Sequence, residues 1–450
     1  MATPRAAMMA EPLLLSRLRE ARALTDSLFD LLTPNSYYER PIPERHRLIF
    51  YLGHLEAFDR NLLSEPLGLK SGEEEFDKLF AFGIDPVGGG LPTDTPADWP
   101  SIATVEKYKR GVREHLDEGL RDQRVFSGKK AGVSGKTLLQ VAIEHRLMHA
   151  ETLAYLLHNL SPDKKTPQPA PCADLRPSPE RTQATIPPGI ATLGQARGGE
   201  EAFGWDNEFE EEQISVAGFS IDVLPVTNGE YLKFVDAGGF QDSRYWKPED
   251  WAWRTEQHIE HPHFWLPRAS SRASDTESRW DYRAMFGTMP LPASWPVYVS
   301  HAEASAFARW AGKKLPTEAQ WHRAAYASAD ERERMYPWGD EPPEGQRGNF
   351  DGQRWDASPV DSHTAGASAF GVVDLLGNGW EWTSTVFGAL PGFKAFPFYP
   401  GYSADFFDGR HFVMKGGSPR TGACMLRRSF RNWFQPHYPY AYATFRCVEE

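Results

Sequence analysis

The sequence predicts a chain in two parts, an all-helical bundle followed by an α+β domain rich in loops. Three observations predict it. Apolar residues recur at three- and four-residue spacing in four long segments within residues 1–160. A stretch over 161–188 is dense in proline and charge and has no apolar period, which reads as a linker. From 189 to 450 the composition shifts to Gly, Trp, Phe and Tyr in short irregular segments. At 450 residues the chain also exceeds the size at which a single core stops growing, so two cores are expected.

The bundle helices are read from "LLLSRLREARALTDSLFDLL" (13–32), "PERHRLIFYLGHLEAFDRNLL" (43–63), "SIATVEKYKRGVREHLDEGL" (101–120) and "KTLLQVAIEHRLMHAETLAYLLHNL" (136–160). Between the second and third lies "FGIDPVGGGLPTDTPADWP" (82–100), whose glycine and proline density forbids regular structure. A connection of that length often borders a site. In the second part the clearest helices are "TNGEYLKFVDAGG" (227–239), "SHAEASAFARWAG" (300–312) and "TEAQWHRAAYA" (317–327). Buried aromatics are expected to hold that part together.

Composition excludes several classes. The net charge is -12 and no dense basic run is present, which argues against nucleic acid or an anionic membrane as partner and leaves a small molecule. Cys172, Cys424 and Cys447 are too few and scattered for a disulfide framework, so a reducing, cytoplasmic setting fits. Glu11 interrupts the only early apolar run, so a signal peptide is not expected, and about 18 uninterrupted apolar residues occur nowhere.

One stretch carries chemistry. In "EHRLMHAE" (144–151), His145 and His149 are four apart and share a helix face. His54, flanked by Leu52, Leu55 and Phe58 in the second helix, faces the bundle interior and can supply a third imidazole. Three imidazoles suit Fe, Zn, Cu or Ni and leave positions open for substrate. Two other readings stay open on spacing alone: ordinary core and surface histidines, or two histidines with one carboxylate from Glu56, Glu144 or Glu151.

The motifs "PVTNGEYLKFVDAGGF", "WPVYVSHAEASAFARWAGKKLPTEAQWHRAA", "YPWGDE", "GNGWEWTST", "KGGS" and "TFRCV" resemble, in order and spacing, the formylglycine-generating-enzyme-like fold, a variant of the C-type lectin scaffold. The match runs over roughly 185–450. The first part resembles the DinB-like four-helix bundle, and His54 with His145, His149 and Glu151 resembles its iron signature. Together they resemble the EgtB-type non-haem iron synthases of ergothioneine biosynthesis and their relatives for ovothiol and selenoneine. That resemblance implies Fe(II) held by His54, His145 and His149, O2 as co-substrate, and hercynine, the betaine of histidine, joined at its imidazole C2 to a thiol or selenol donor. Glu151 is then outside the ligand set, in a second layer or on the helix surface. The trimethylammonium of hercynine wants aromatic faces, which "RNWFQPHYPYAYATFR" offers.

Departures from the family pattern bear on the donor. Asn432 and Trp433 match the segment expected at hercynine, but the family's Asp is Phe434 and its Arg is Tyr438. No arginine occurs in "VGGGLPTDTPADWPSIATVE", where the family has a third thiol-binding residue. The family's proton-donating tyrosine falls at Phe387 or Leu390, neither with a hydroxyl, which leaves the proton donor unassigned, and a glutamine at the imidazole substrate is Met148. A charged clamp has become neutral. Phe434, Tyr438, Phe387 and Leu390 are therefore expected to form a co-substrate pocket for an uncharged donor, a selenosugar before a thiol, as in the selenoneine synthases. A formylglycine-generating oxidase would need a reactive cysteine pair, and Cys447 in "TFRCV" falls on an expected buried strand. A non-catalytic lectin-like module has no reason to keep three bundle histidines. Trp380 and Trp382 are expected in the core, "GGS" as a turn or strand crossing, and Arg427 and Arg428 on a solvated strand.

Overall fold

The computed structural model describes residues 4–70, 74–81, 91–169, 176–198, 203–268 and 279–449, with side chains from residue 13 onward. It divides into two compact units at Gln168/Pro169. Residues 82–90 of the long bundle connection, Cys172 and part of the expected linker lie outside the described residues.

The first unit is helical: α1 (Pro4–Phe29), α2 (Leu48–Leu63), α3 (Glu74–Leu79), α4 (Ile102–Arg121) and α5 (Gly135–Asn159), with a two-residue hairpin of β1 (Lys129–Lys130) and β2 (Val133–Ser134) before α5. α1 packs on α5, and α2 packs on α4 and α5. Ser101 and Ser134 cap α4 and α5 by accepting from Thr104 and Thr137 backbone N–H groups, which satisfies donors the helix start leaves open. α2 starts at Leu48, later than its apolar spacing suggests, because Arg47 is extended and Arg45 closes a turn onto the Ile42 carbonyl. Its expected upstream part therefore forms turns, not helix. α3, six residues long, carries too little period to be read from sequence. The start of the expected linker belongs to this unit: Lys165 is 3% exposed and pairs with Leu32.

The second unit is α+β. Its strands are β3 (Gln183–Ile186), β4 (Gly189–Leu193), β5 (Glu212–Val216), β6 (Phe219–Asp222), β7 (Trp265–Pro267), β8 (Trp280–Ala284), β9 (Gly287–Pro290), β10 (Gly379–Val386), β11 (Phe412–Gly417), β12 (Asn432–Phe434), β13 (Ala443–Thr444) and β14 (Val448–Glu449). The helices are α6 (Asn228–Asp236), α7 (Pro248–Glu256), α8 (His301–Trp310), α9 (Glu318–Tyr326) and α10 (Gly401–Ala404). β12-β11-β10-β13 form the largest sheet, antiparallel except for the parallel β10–β13 pair. Thr227, Ser300 and Thr317 open α6, α8 and α9, the three helices expected here, with reciprocal capping boxes to Glu230, Glu303 and Gln320.

Aromatics fill the core as expected. Trp205, Trp265, Trp321 and Trp382 are fully buried, and Trp382 donates its indole N–H to the Val299 carbonyl at 2.9 Å. Glu381 on β10 is wholly buried; it accepts from the Trp321 indole at 2.8 Å and from both prongs of Arg446 at 2.7 and 2.6 Å. Such a carboxylate survives burial because every lone pair it turns inward meets a donor. "GGS" ends strand β11 with Gly416 and Gly417, and the turn comes after it, where Ser418 and Thr421 bond each other's segment; Gly416, at φ 93°, has the Leu375 carbonyl 2.7 Å from where a Cβ would stand.

Candidate metal centre

The site is built from the two helices whose spacing pointed to it. α2 turns His54 inward and α5 turns His145 and His149 inward, and all three are buried, at 3, 3 and 1% exposure. One nitrogen from each lies within 4.8 Å of the others, and among the described residues this is the one such group of histidine, cysteine or carboxylate ligands. The Nε2 atoms of His145 and His149 are 3.1 Å apart. Two nitrogens at about 2.1 Å from one first-row cation and at right angles to each other stand about 3 Å apart, so that spacing fits a shared ion. His54 Nε2 is buried without a hydrogen-bond partner, a cost that a cation would remove.

Aromatic rings wall the imidazoles. Phe58 stacks on His145 at 3.4 Å and 8°, Phe50 on His54 at 4.8 Å and 21°, and Tyr51 tilts against His149 at 5.8 Å. In that dry setting the charged imidazole is disfavoured. Burial pushes His54 down to about 4. His145 and His149 are held well below the ordinary value by burial first, His145 then by His149, His54 and Arg146, and His149 by His54, Arg45 and Arg146. All three are neutral at pH 7, the form in which a ring nitrogen can ligate.

These shifts fix a pH dependence. An unfolded imidazole takes a proton near 6.5 and folded His54 only near 4, so between them the unfolded chain binds more protons. Stability of the metal-free bundle is therefore full above about pH 6.5 and falls as pH drops toward 4, by up to about 1.4 kcal/mol per pH unit per histidine. Urea midpoints recorded across that range should fall with pH; a flat series would mean the histidines are not buried neutral.

Carboxylate ligation is not what the geometry offers. Glu56, on α2 beside His54, is committed to arginines: Arg113 at 3.1 and 2.8 Å and Arg146 at 2.7 Å. Burial alone would raise its carboxyl, but Arg146 and Arg113 hold it near 2. Glu144 and Glu151 are buried at 5 and 8%, outside the ligand group, so Glu151 is not a helix-surface residue.

The remaining sequence-predicted residues are placed as follows. Met148, half-buried on α5, directly precedes His149. Asn432, Trp433 and Phe434 form β12, each half-buried, and Asn432 Oδ1 accepts from the Trp433 backbone N–H at 2.8 Å. Phe387, 1% exposed, stacks on Trp433 at 4.2 Å and 7°; Tyr402 and Phe406 stand 5.5 and 5.6 Å from the same indole. Phe434 and Tyr438 stack on each other at 4.7 Å and 10°. Leu390 is 5% exposed. The expectation of solvated Arg427 and Arg428 is corrected: Arg427 forks onto Glu208 and Arg428 pairs with Glu333 at 2.9 Å, while Arg431 pairs with Glu318 at 3.0 Å and lies over the Phe387 ring at 5.0 Å. Sequence reading missed the outer partner of the site, the Phe80 carbonyl 2.7 Å from His54 Nδ1, because a backbone oxygen leaves no residue signature. Cys447 is wholly buried with its thiol pushed up by that burial, the state of an inert packing residue.

A helical bundle with a buried imidazole triad, followed by an aromatic-rich α+β unit, defines a two-domain class of proteins with a candidate metal site in the bundle. Residues 17–153 match the DinB superfamily and residues 170–450 the family described as "Sulfatase-modifying factor enzyme 1-like domain". The chain is 39% identical over 246 residues to the hercynine oxygenase of Mycobacterium tuberculosis, covering 54% of this chain and 55% of that protein. It is 35% identical over 305 residues to the hercynine oxygenase of Mycolicibacterium smegmatis, covering 66% and 68%. To ergothioneine biosynthesis protein 1 of Neurospora crassa it is 28% identical over 501 aligned positions, covering 93% of this chain and 56% of that protein. The match spans about half the length of the first two hercynine oxygenases it resembles. The chain belongs to the EgtB-type family, which joins a DinB bundle to a sulfatase-modifying-factor-like domain. Among the described residues no helix is long and apolar enough to cross a membrane.

Proposed function

We propose that the protein is a non-haem Fe(II) enzyme that uses O2 to join a chalcogen donor to the imidazole C2 of hercynine. The observation that carries this reading is the convergence of three buried, neutral imidazoles from facing helices. His54, His145 and His149 would hold the cation, and iron bound there would supply O2 activation beside the two organic substrates. The aromatic walls at Phe50 and Phe58 keep water from that centre. Asn432 and Trp433 are assigned to the betaine, Trp433 offering a ring face to the trimethylammonium. Met148, next to His149, is assigned to the imidazole end. Phe387 and Leu390 bring no hydroxyl, so they confine the donor without moving a proton. In the net reaction the C2–H and the donor's Se–H or S–H bond break and one carbon–chalcogen bond forms. O2 accepts four electrons, leaving one oxygen on the chalcogen and one in water. A reducing cytoplasm, in keeping with three scattered cysteines, suits both the iron and the donor.

The donor is read from charge. The stacked Phe434–Tyr438 pair stands where the family pattern has an Asp and an Arg, so these two positions bring rings in place of the charges that would pair an amino-acid carboxylate and ammonium. A neutral selenosugar suits that chemistry, and a selenoxide on the way to selenoneine is the product. A thiol donor and a sulfoxide product form the second reading, favoured by the names of the relatives, hercynine oxygenase and ergothioneine biosynthesis protein. Iron-loaded protein, hercynine and air are mixed with γ-glutamylcysteine, cysteine or a selenosugar, and products are identified by mass spectrometry. The selenosugar is expected to give the adduct at least about tenfold faster, a difference of about 1.4 kcal/mol in barrier. A sulfoxide from a thiol with no seleno-adduct would overturn the selenium assignment, and no adduct from any donor would overturn the synthase reading.

A further inference from the structure

Glycine is the least favourable residue after proline in a helix interior, yet Gly53 sits inside α2, one position before His54. Its neighbour explains it. A Cβ at Gly53 would lie 2.6 Å from three carbons of the Phe80 ring. That ring has nowhere to retreat: it is wholly buried and packed against Phe50, Phe76, Trp99 and Tyr108 at centroid distances of 6.4, 6.2, 6.1 and 5.9 Å. The short α3 beneath it is pinned through Asp77, which accepts from the Tyr108 hydroxyl at 2.6 Å and pairs with Arg60 of α2 at 3.4 Å.

The close approach has a chemical result. It brings the Phe80 carbonyl to 2.7 Å from His54 Nδ1. A carbonyl only accepts, so Nδ1 carries the proton and Nε2 keeps its lone pair turned to the other two histidines. His145 and His149 have no such partner on Nδ1 among the described residues. His54 is thus the one imidazole of the three whose tautomer and ring angle are set from outside.

We propose that Gly53 and Phe80 act as a positioning pair for the metal centre, in which the missing side chain at 53 lets the end of α3 approach and fix His54 as the Nδ1–H tautomer. The inference rests on the metal reading above. Gly53→Ala forces the ring and its carbonyl away from α2, freeing His54 to rotate or change tautomer. Partners of this outer kind are worth 10- to 100-fold in metal affinity.

The test uses the full chain without metal, titrated with Co(II) and followed by absorption, together with long-range imidazole 1H–15N spectra. In the unsubstituted protein His54 is expected as the Nδ1–H tautomer. Gly53→Ala is expected to bind Co(II) about 10- to 100-fold more weakly and to lose that signal. Gly53→Ala with Phe80→Leu, which removes the colliding ring and keeps the carbonyl, is expected to recover most of the affinity. An unchanged affinity in folded Gly53→Ala overturns the proposal. So does an Nε2–H tautomer at His54 in the unsubstituted protein, a result available even if Gly53→Ala does not fold. Absence of Co(II) binding by the unsubstituted protein defeats the metal reading instead, while the tautomer spectrum still judges the Gly53–Phe80 contact.

Discussion

Alanine at His54, His145 or His149 is expected to strip the bundle of iron while leaving it folded. Binding free energies of four-ligand metal sites imply about 3 kcal/mol per ligand, so each substitution should weaken the metal by about 100-fold or more. The fold should survive because each change deletes a buried polar ring that carries at most one protein hydrogen bond outside the triad. Iron content after gel filtration gives the first measure and circular dichroism the second. Full iron occupancy in all three variants would remove the triad as the metal's seat.

The second large effect is on stability and comes from Arg146, the residue after His145. Its guanidinium is wholly buried and reaches across to α2, donating to Asp59 at 2.8 Å, Glu56 at 2.7 Å and the Leu55 carbonyl at 3.1 Å. Asp59 is itself fully buried, and that burial raises its carboxyl although Arg146, the foremost of its charged neighbours, pulls the other way. Arg146→Met takes the guanidinium away from two buried acids and a buried carbonyl, and breaking a buried pair on one side typically costs about 3–5 kcal/mol. Arg113 still serves Glu56, and Arg22 stands 3.8 Å from Asp59, so the loss falls mainly on Asp59. Urea unfolding at pH 7 is the measurement. Arg146→Lys should recover part of the loss, since it restores charge without the planar fork; equal stability of Arg146→Met and the unsubstituted protein would show that the pair contributes nothing.

How much of this was legible depended on the length scale of the signal. The His145–His149 pair showed itself because a helix places residues four apart on one face, and the apolar flanks of His54 turned it inward. α6, α8 and α9 were expected from their segments, and each also carries a local signal that was not read, a capping box spanning four residues. Partnerships across the fold were not legible. Glu56 was open as a ligand until Arg113 and Arg146, 57 and 90 residues away, were seen to hold it. α3 was too short to show a period, and with it went the Phe80 carbonyl. The strands of the second unit, many of two to five residues, carry too few alternations to reveal order or direction. Arg427 and Arg428 were misread as solvated because their acidic partners lie 219 and 95 residues away.

The sheets of the second unit also govern how the chain must be made. β14 pairs with β6 through Val448 and Ile221, and β13 enters the largest sheet beside Trp380 through Ala443. Strands joined over such separations close late, because the entropy of a long loop must be overcome before any contact rewards it. During synthesis the bundle can collapse as soon as α5 is complete, whereas in the second unit β6, paired with β3, and β10, paired with β11, each keep one edge open until residues 443–449 are made. Slow translation or a holding chaperone in that interval would protect those open edges, so yield of soluble protein should be governed by the second unit and not by the helical bundle.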